Sequence, residues 1–407
     1  MKIALFISRL VVALVFIFSG IVKCVDPTGT AIKIDDYFVA WGFDVPFAIS
    51  MALSIVQSVV EFTIGILLLA NSWIRVAAWG ALLFMVLYTP LTLYIAIANP
   101  VSDCGCFGDA LKLTNWQTFI KNIILLPMSI LLLWAHRQRA EKRVMRAVLN
   151  TIVGVALALL VALSGLLDEP QIDFRPYAVG VNIPNAMTVP DDAPQPEYQT
   201  LFVLEKDGVE KIFDEVNYPY NDTTWHFVTS KTTVINEGYT APIKDFTIND
   251  RDNNLITDEL LQSAEPVVIA VSAKLQDVSD EHFEMLKAMQ DSARNAGRQF
   301  YILTSSVDKM DDFENRAQMG FDFLSADEVM LKTIVRSNPG IIVLQRGTIV
   351  AKYHPDHLDE ANLFGDPAGA FITQQRLSID FALKSMSIIL LFVLLLIINL
   401  LYKYKVK

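Results

Sequence analysis

The chain has 407 residues, of which 53% are hydrophobic and only 19% charged, and its mean hydropathy is +0.39. That balance is high for a water-soluble chain and points to a membrane protein. The formal charge of −11, from 44 acidic against 33 basic residues, argues against nucleic acid as a partner.

Apolar stretches of spanning length occupy 3–23, 47–71, 75–98, 117–136 and 147–167, and a sixth lies at 383–402. A helix of about 20 residues crosses the hydrocarbon core, so the lipid bilayer is the first expected partner. Between the first two stretches, the segment 24–46 reads as a turn and a short amphipathic helix on the membrane surface. The region 168–380 has no spanning run and reads as a water-soluble block. Its start, 168–200, carries Pro170, Pro176, Pro184, Pro190, Pro194 and Pro196, a composition that suits an extended linker. The expected organisation is a four-span domain at 1–136, a basic loop and fifth span at 137–167, and a linker with a small β-rich region at 168–235. An α/β block at 236–380 and a last span with a basic tail at 381–407 complete it.

Basic residues set the expected orientation. Lys2, the loop His136-Arg137-Gln138-Arg139-Ala140-Glu141-Lys142-Arg143 and the tail Lys403, Lys405 and Lys407 all fall on one side if six spans alternate. That side is expected to be the cytoplasm, which places the soluble block outside an inner membrane. Span one is not expected to be a cleaved signal, because Arg9 interrupts its core and no small-residue cleavage site follows. A lipoprotein signal is also disfavoured, because Lys23 stands where a small residue is needed before Cys24.

The three cysteines, Cys24, Cys104 and Cys106, are all expected at the outer ends of spans. Cysteines two residues apart can approach the Cα separation of ~4.4–6.8 Å that a disulfide tolerates. Gly105 supplies the backbone freedom that such a closure needs. A small, exposed ring is readily reduced, and an oxidising compartment lets it re-form. Cys24 is expected to act as a resolving thiol, or to pair with Cys104 or Cys106 in a structural staple. Metal binding is the weaker reading, since no histidine lies near the pair.

Glu61 falls well inside the second span, where an ionised carboxylate costs at least ~2.5 kcal/mol. It is expected to face a partner, with Lys23 and Lys121 the candidate cations. Its role is either a proton relay or a buried structural contact. Tyr37, Phe38, Trp41, Tyr88, Tyr94, Phe107 and Trp116 gather toward the outer half. They can frame a quinone ring, although an interfacial aromatic belt accounts for most of them. None of the histidines is assigned a catalytic role.

Several of these stretches resemble a known family. Phe18-Ser19-Gly20-Ile21-Val22-Lys23, Asp26-Pro27, Asp36-Tyr37-Phe38, Glu61 with Gly65, and Cys104-Gly105-Cys106-Phe107-Gly108-Asp109 resemble the DoxX/MauE group of membrane proteins, over roughly residues 1–135. The resemblance implies a four-helix bundle and redox work. MauE proteins are implicated in maturing the disulfide-rich small subunit of methylamine dehydrogenase, and DoxX relatives are tied to quinone or thiol oxidation. The bundle is also similar to vitamin K epoxide reductase-like disulfide generators, although those use Cys-x-x-Cys, which this chain lacks. No residue here implies methylamine itself.

The soluble block resembles a TlpA-like thioredoxin fold, from the entry segment Ala241-Pro242-Ile243-Lys244-Asp245-Phe246 onward. Strands are expected at 266–272, 300–304, 341–345 and 348–353, with a helix near 279–296. The resemblance implies a cis peptide before Pro339. It also implies a thiol site at Ala273-Lys274-Leu275-Gln276, where no sulfur stands. That region is therefore not expected to exchange disulfides.

The resulting fold class is an α-helical membrane protein with an inserted thioredoxin-like α/β domain. The function expected from these features is thiol–disulfide redox chemistry at Cys104 and Cys106, with Cys24 and Glu61 assisting. Membrane quinone or extracytoplasmic client proteins are the expected partners. The alternative is a non-catalytic assembly or scaffold protein with a structural disulfide and a client-binding domain.

Overall fold

The computed structural model describes residues 2–358 apart from positions 102, 139, 142, 171, 196 and 237, together with 363–364, 387–394 and 396. Five helices are long and apolar enough to cross a membrane. They are α1 (Lys2–Val25), α3 (Phe47–Ala70), α4 (Ile74–Ala98), α5 (Asn115–His136) and α6 (Val144–Leu167), with the short α2 (Pro27–Ala40) between the first two. All five agree with the apolar stretches to within three residues at either end. Of the expected sixth span, residues 387–394 and 396 are described and helical. Ile389, Val393 and Leu396 are buried in the same apolar cluster as the bundle. The rest of that stretch and the basic tail lie outside the described residues.

Local signals explain the helix ends. Asp26 caps α2 by accepting from the Gly29 amide at 2.8 Å, with Pro27 in the first turn. Thr114 and Gln117 form a reciprocal capping box at the start of α5. Pro90 and Pro127 interrupt neither α4 nor α5, as spanning helices allow when neighbouring groups satisfy the freed backbone. Ser50, Ser54 and Ser58 form a fully buried stripe on α3, and the Ser54 hydroxyl donates to the Pro27 carbonyl at 2.7 Å. That bond fastens the surface helix α2 to the bundle.

The α6 helix delivers the chain to the face of the bundle that carries the cysteine loop, and the α/β region begins there. After α7 (Ile183–Met187), strands β1 (Glu197–Lys206), β2 (Val209–Phe213) and β3 (His226–Asn236) form an antiparallel sheet in the order β2-β1-β3. The following elements are β4 (Asn249–Asp250), α8 (Thr257–Gln262), β5 (Val267–Ser272), α9 (Asp280–Ala296), β6 (Phe300–Thr304), α10 (Met310–Ala317), β7 (Phe323–Ser325), α11 (Glu328–Ile334), β8 (Gly340–Gln345) and β9 (Thr348–Tyr353). They build a six-stranded mixed sheet in the order β4-β7-β6-β5-β8-β9. Strands β5, β6 and β7 run parallel, whereas β8 is antiparallel to both β5 and β9. Every residue of β5 is buried, the pattern of a central strand covered on both faces.

The Asn338–Pro339 peptide is cis, as expected. Asn338 spans the sulfur-free place after β5, donating to the Lys274 carbonyl at 2.9 Å and accepting from Ser272 at 2.8 Å.

The proline-rich stretch after α6 is not the extended linker its composition suggests: it holds turns and the helix α7, and it is anchored to the α/β region. The Ile183 amide donates to the Gly347 carbonyl at 2.7 Å, and Tyr177 and Ile183 enter the sheet's core. Nearby, Arg175 pairs with Glu169 at 3.0 Å and Asp173 at 2.6 Å, and Lys352 pairs with Asp173 at 2.9 Å. Composition alone does not reveal this, because the anchors to the sheet are backbone bonds and the long-range ion pair of Lys352 with Asp173.

Candidate functional site: a thiol pair beside a buried carboxylate

Helices α1 and α3 touch backbone to backbone. A Cβ on Gly20 would lie 2.5 Å from the Phe62 amide nitrogen, and one on Gly65 would lie 2.8 Å from the Ala13 carbonyl oxygen. Small residues permit this approach between spanning helices. It brings Ser19 and Lys23, one helical turn apart on α1, up to Glu61 on α3.

Glu61 is 2% exposed and amply provided with donors. The Lys23 ammonium donates to both carboxylate oxygens, at 2.8 and 2.7 Å. The Ser19 hydroxyl lies 2.7 Å away, the Tyr88 hydroxyl 3.0 Å and the Gln57 amide nitrogen 3.3 Å. An ionised carboxylate accepts about four hydrogen bonds, and this set supplies them. Of the two expected cations, Lys23 is the direct partner.

The cysteine loop is tied to this centre. The Ser19 hydroxyl also lies 2.8 Å from the Cys106 carbonyl oxygen. Ser19 has one proton for two acceptors, so it donates to Glu61 or to Cys106 at any moment. The Tyr37 hydroxyl donates to the Cys104 carbonyl at 3.2 Å. Gly105 has φ +66°, a left-handed conformation that favours glycine, and its amide donates to Asp103 at 2.9 Å. The Phe107 ring packs edge-on against Phe18 with centroids 5.2 Å apart, and the Lys121 ammonium lies 4.3 Å from its centre.

The two sulfurs of Cys104 and Cys106 approach to 2.6 Å. Their shared hydrogen bond pulls Cys106 from the ordinary thiol range down to about 6, with Lys121 and Lys23 assisting and burial and Glu61 opposing. The same bond, together with burial, pushes Cys104 up. Above pH ~6 the loop therefore presents Cys106 as a thiolate, the form that acts as a nucleophile, beside the Cys104 thiol. The hollow that both cysteines line has a volume of about 10 Å³, room for about one water. It does not enclose a quinone ring.

Cys24 stands apart from this arrangement. It is 1% exposed and belongs to the bundle's apolar core, and among the described residues no disulfide or hydrogen bond joins it to either loop cysteine. Glu61, Cys104 and Cys106 are thus brought together through Ser19, while Cys24 packs among apolar neighbours.

Sequence reasoning gave no role to Ser19 or Gln57 and took Tyr88 only as a belt or quinone-framing aromatic. The spacing of four between Ser19 and Lys23, and again between Gln57 and Glu61, is a local signal for shared helix faces. Tyr88 had no such signal, since its link to Glu61 crosses between helices.

These features define a multi-pass membrane protein with an ion pair buried in its bundle and a thiol loop tied to it. Residues 1–135 match the family model described as methylamine utilisation protein MauE, so the chain carries a MauE domain with membrane helices. Residues 198–237, which hold the three-stranded sheet, match a domain of unknown function. No curated protein and no solved structure matches the chain.

Proposed function

We propose that the protein is a membrane thiol–disulfide redox protein whose working group is the Cys104/Cys106 pair. The observation that carries this reading is the close approach of the two sulfurs, with Cys106 held as the better nucleophile. Oxidation of the dithiol forms one S–S bond and releases two protons and two electrons. A quinone dissolved in the bilayer accepts both and leaves as the quinol. The quinone is a diffusible substrate that meets the loop at the protein–lipid surface. Extracytoplasmic proteins undergoing maturation are the proposed source of the electrons, each gaining one disulfide per cycle. Glu61 relays a proton between the loop and the quinone, communicating with the loop through Ser19.

The α/β region is read as thioredoxin-like on its sheet order, with three parallel strands followed by two antiparallel ones. The proposed location is the inner membrane, with the loop and the α/β region on the extracytoplasmic side. Thiol trapping with mass spectrometry in native membranes tests the redox reading. The Cys104/Cys106 pair should accumulate as dithiol under a respiratory block and as disulfide without it. A pair whose state ignores the block would refute quinone-linked turnover.

A further inference from the structure

The α/β region has no sulfur where its cis-proline loop meets the end of β5, which leaves the purpose of that edge open. The edge faces the membrane domain. Arg336, three residues before Pro339, grips Asp26 with its Nε at 3.1 and 2.9 Å and its Nη2 at 2.7 Å. The same Nη2 lies 3.4 Å from Asp109, in the turn directly after the Cys-Gly-Cys run. The Arg336 side chain is only 8% exposed and also donates to the Lys332 carbonyl. Glu169, just beyond α6, holds the loop from behind by accepting from the Arg336 amide at 2.9 Å and from the Ser337 hydroxyl at 3.1 Å.

Two chambers lie between the regions. One, of about 460 Å³, has Asp103, Gly105 and Gly108 in its membrane-side wall and Lys332 and Arg336 opposite. The other, of about 360 Å³, sets Ala273, Lys274 and Asn338 against Ile32, Asp35 and Phe47. Volumes of this order suit a small molecule or a short extended segment, and they are far too small for a folded protein.

We propose that Asp26 and Asp109 form the receptor for the chain's own α/β region, and that Arg336 docks it there as a roof over the cysteine loop. The sulfur-free region then works in cis. It limits access from the aqueous side to small thiols or extended, cysteine-bearing segments. A planar guanidinium gripping a carboxylate at two oxygens gives the docking direction as well as strength. The near-burial of Arg336 protects the contact from screening by salt.

Size-selective alkylation of the reduced full chain in lipid nanodiscs tests this. The ratio of labelling rates at Cys104 and Cys106 is measured for polyethylene-glycol maleimide against N-ethylmaleimide. The small reagent reports intrinsic thiol reactivity, and the ratio reports the roof. In the wild type the bulky reagent should lag far behind. Arg336→Asp sets like charges against each other and should raise the ratio by about tenfold or more. Asp26→Asn keeps the helix cap while removing the charge, leaves the α/β region untouched, and should move the ratio in the same direction. Ratios within about twofold of wild type in both variants would overturn the proposal, as would equal labelling of the wild type by the two reagents. The measurement needs no turnover, so it stands whether or not the pair cycles with a quinone.

Discussion

Lys23 and Glu61 form an ion pair on neighbouring helices, with the ammonium within 2.8 Å of both carboxylate oxygens and both side chains shielded from solvent. Removing two charges from water is unfavourable by several kcal/mol per ion, so such a pair survives only where further donors complete it. Ser19, Tyr88 and Gln57 supply those donors here.

Breaking that pair from one side should be costly. Lys23→Met leaves the Glu61 carboxylate buried without its cation, and a loss of ~3–5 kcal/mol is expected. Adding Glu61→Gln to Lys23→Met should restore part of it. Thermal unfolding in detergent reads both effects, and a Lys23→Met protein as stable as wild type would contradict the role given to the pair.

The thiol asymmetry predicts a pH profile. In the reduced protein, alkylation of Cys106 should be slow in acid, rise through a midpoint of about 6, and level off above it. The sign follows from the lowered value, since the reactive thiolate is the form present above the midpoint. Cys104→Ala removes the hydrogen-bond donor that contributes most, so the midpoint should move upward, toward ordinary cysteine. Mass spectrometry across a pH series checks both, and an unmoved midpoint would remove Cys104 as the cause.

Function and folding should separate at the pair. Cys104→Ser and Cys106→Ser should each abolish redox turnover while leaving protein abundance near normal. A purely structural crosslink predicts the reverse, because losing a disulfide typically costs ~2–4 kcal/mol and lowers abundance. Full function of the double serine variant at normal abundance would rule out the redox reading.

The contact between α1 and α3 predicts a contrast between two glycines. Gly65→Val forces a side chain against the Ala13 backbone and Ile17, and should destabilise the bundle by at least ~1–3 kcal/mol. Gly154→Ala adds a methyl whose nearest neighbours are 3.7 Å away, an ordinary contact, and should be tolerated. Comparable losses in both would show that close helix approach is not what Gly65 provides.

Much of the fold was legible in the residues, because the signals involved are local. A run of apolar residues crosses a membrane wherever it stands, and the five span assignments rest on that alone. Strands β5, β6, β8 and β9 and helix α9 were expected from the thioredoxin-like resemblance together with short apolar runs and turn residues such as Arg346-Gly347, whereas the three-residue strand β7 was not. The placement of Cys104 and Cys106 in a loop and of Glu61 within a span needed no tertiary information, whereas the cis peptide before Pro339 was expected only through the thioredoxin-like resemblance.

The site depended on the tertiary structure. Two cations, Lys23 and Lys121, fitted Glu61 by position, and the close approach of α1 to α3 decided for Lys23. Three of the outer-half aromatics proved to belong to the site: Tyr37 and Tyr88 bond to the Cys104 carbonyl and to Glu61 across helices, and the ring of Phe107, within the loop, faces the Lys121 ammonium. The contact between Arg336 and Asp26 joins residues 310 positions apart. No local pattern carries such a pairing. Apolar burial adds up residue by residue and is readable from composition, whereas an ion pair exists only when packing brings its two partners within a few ångströms.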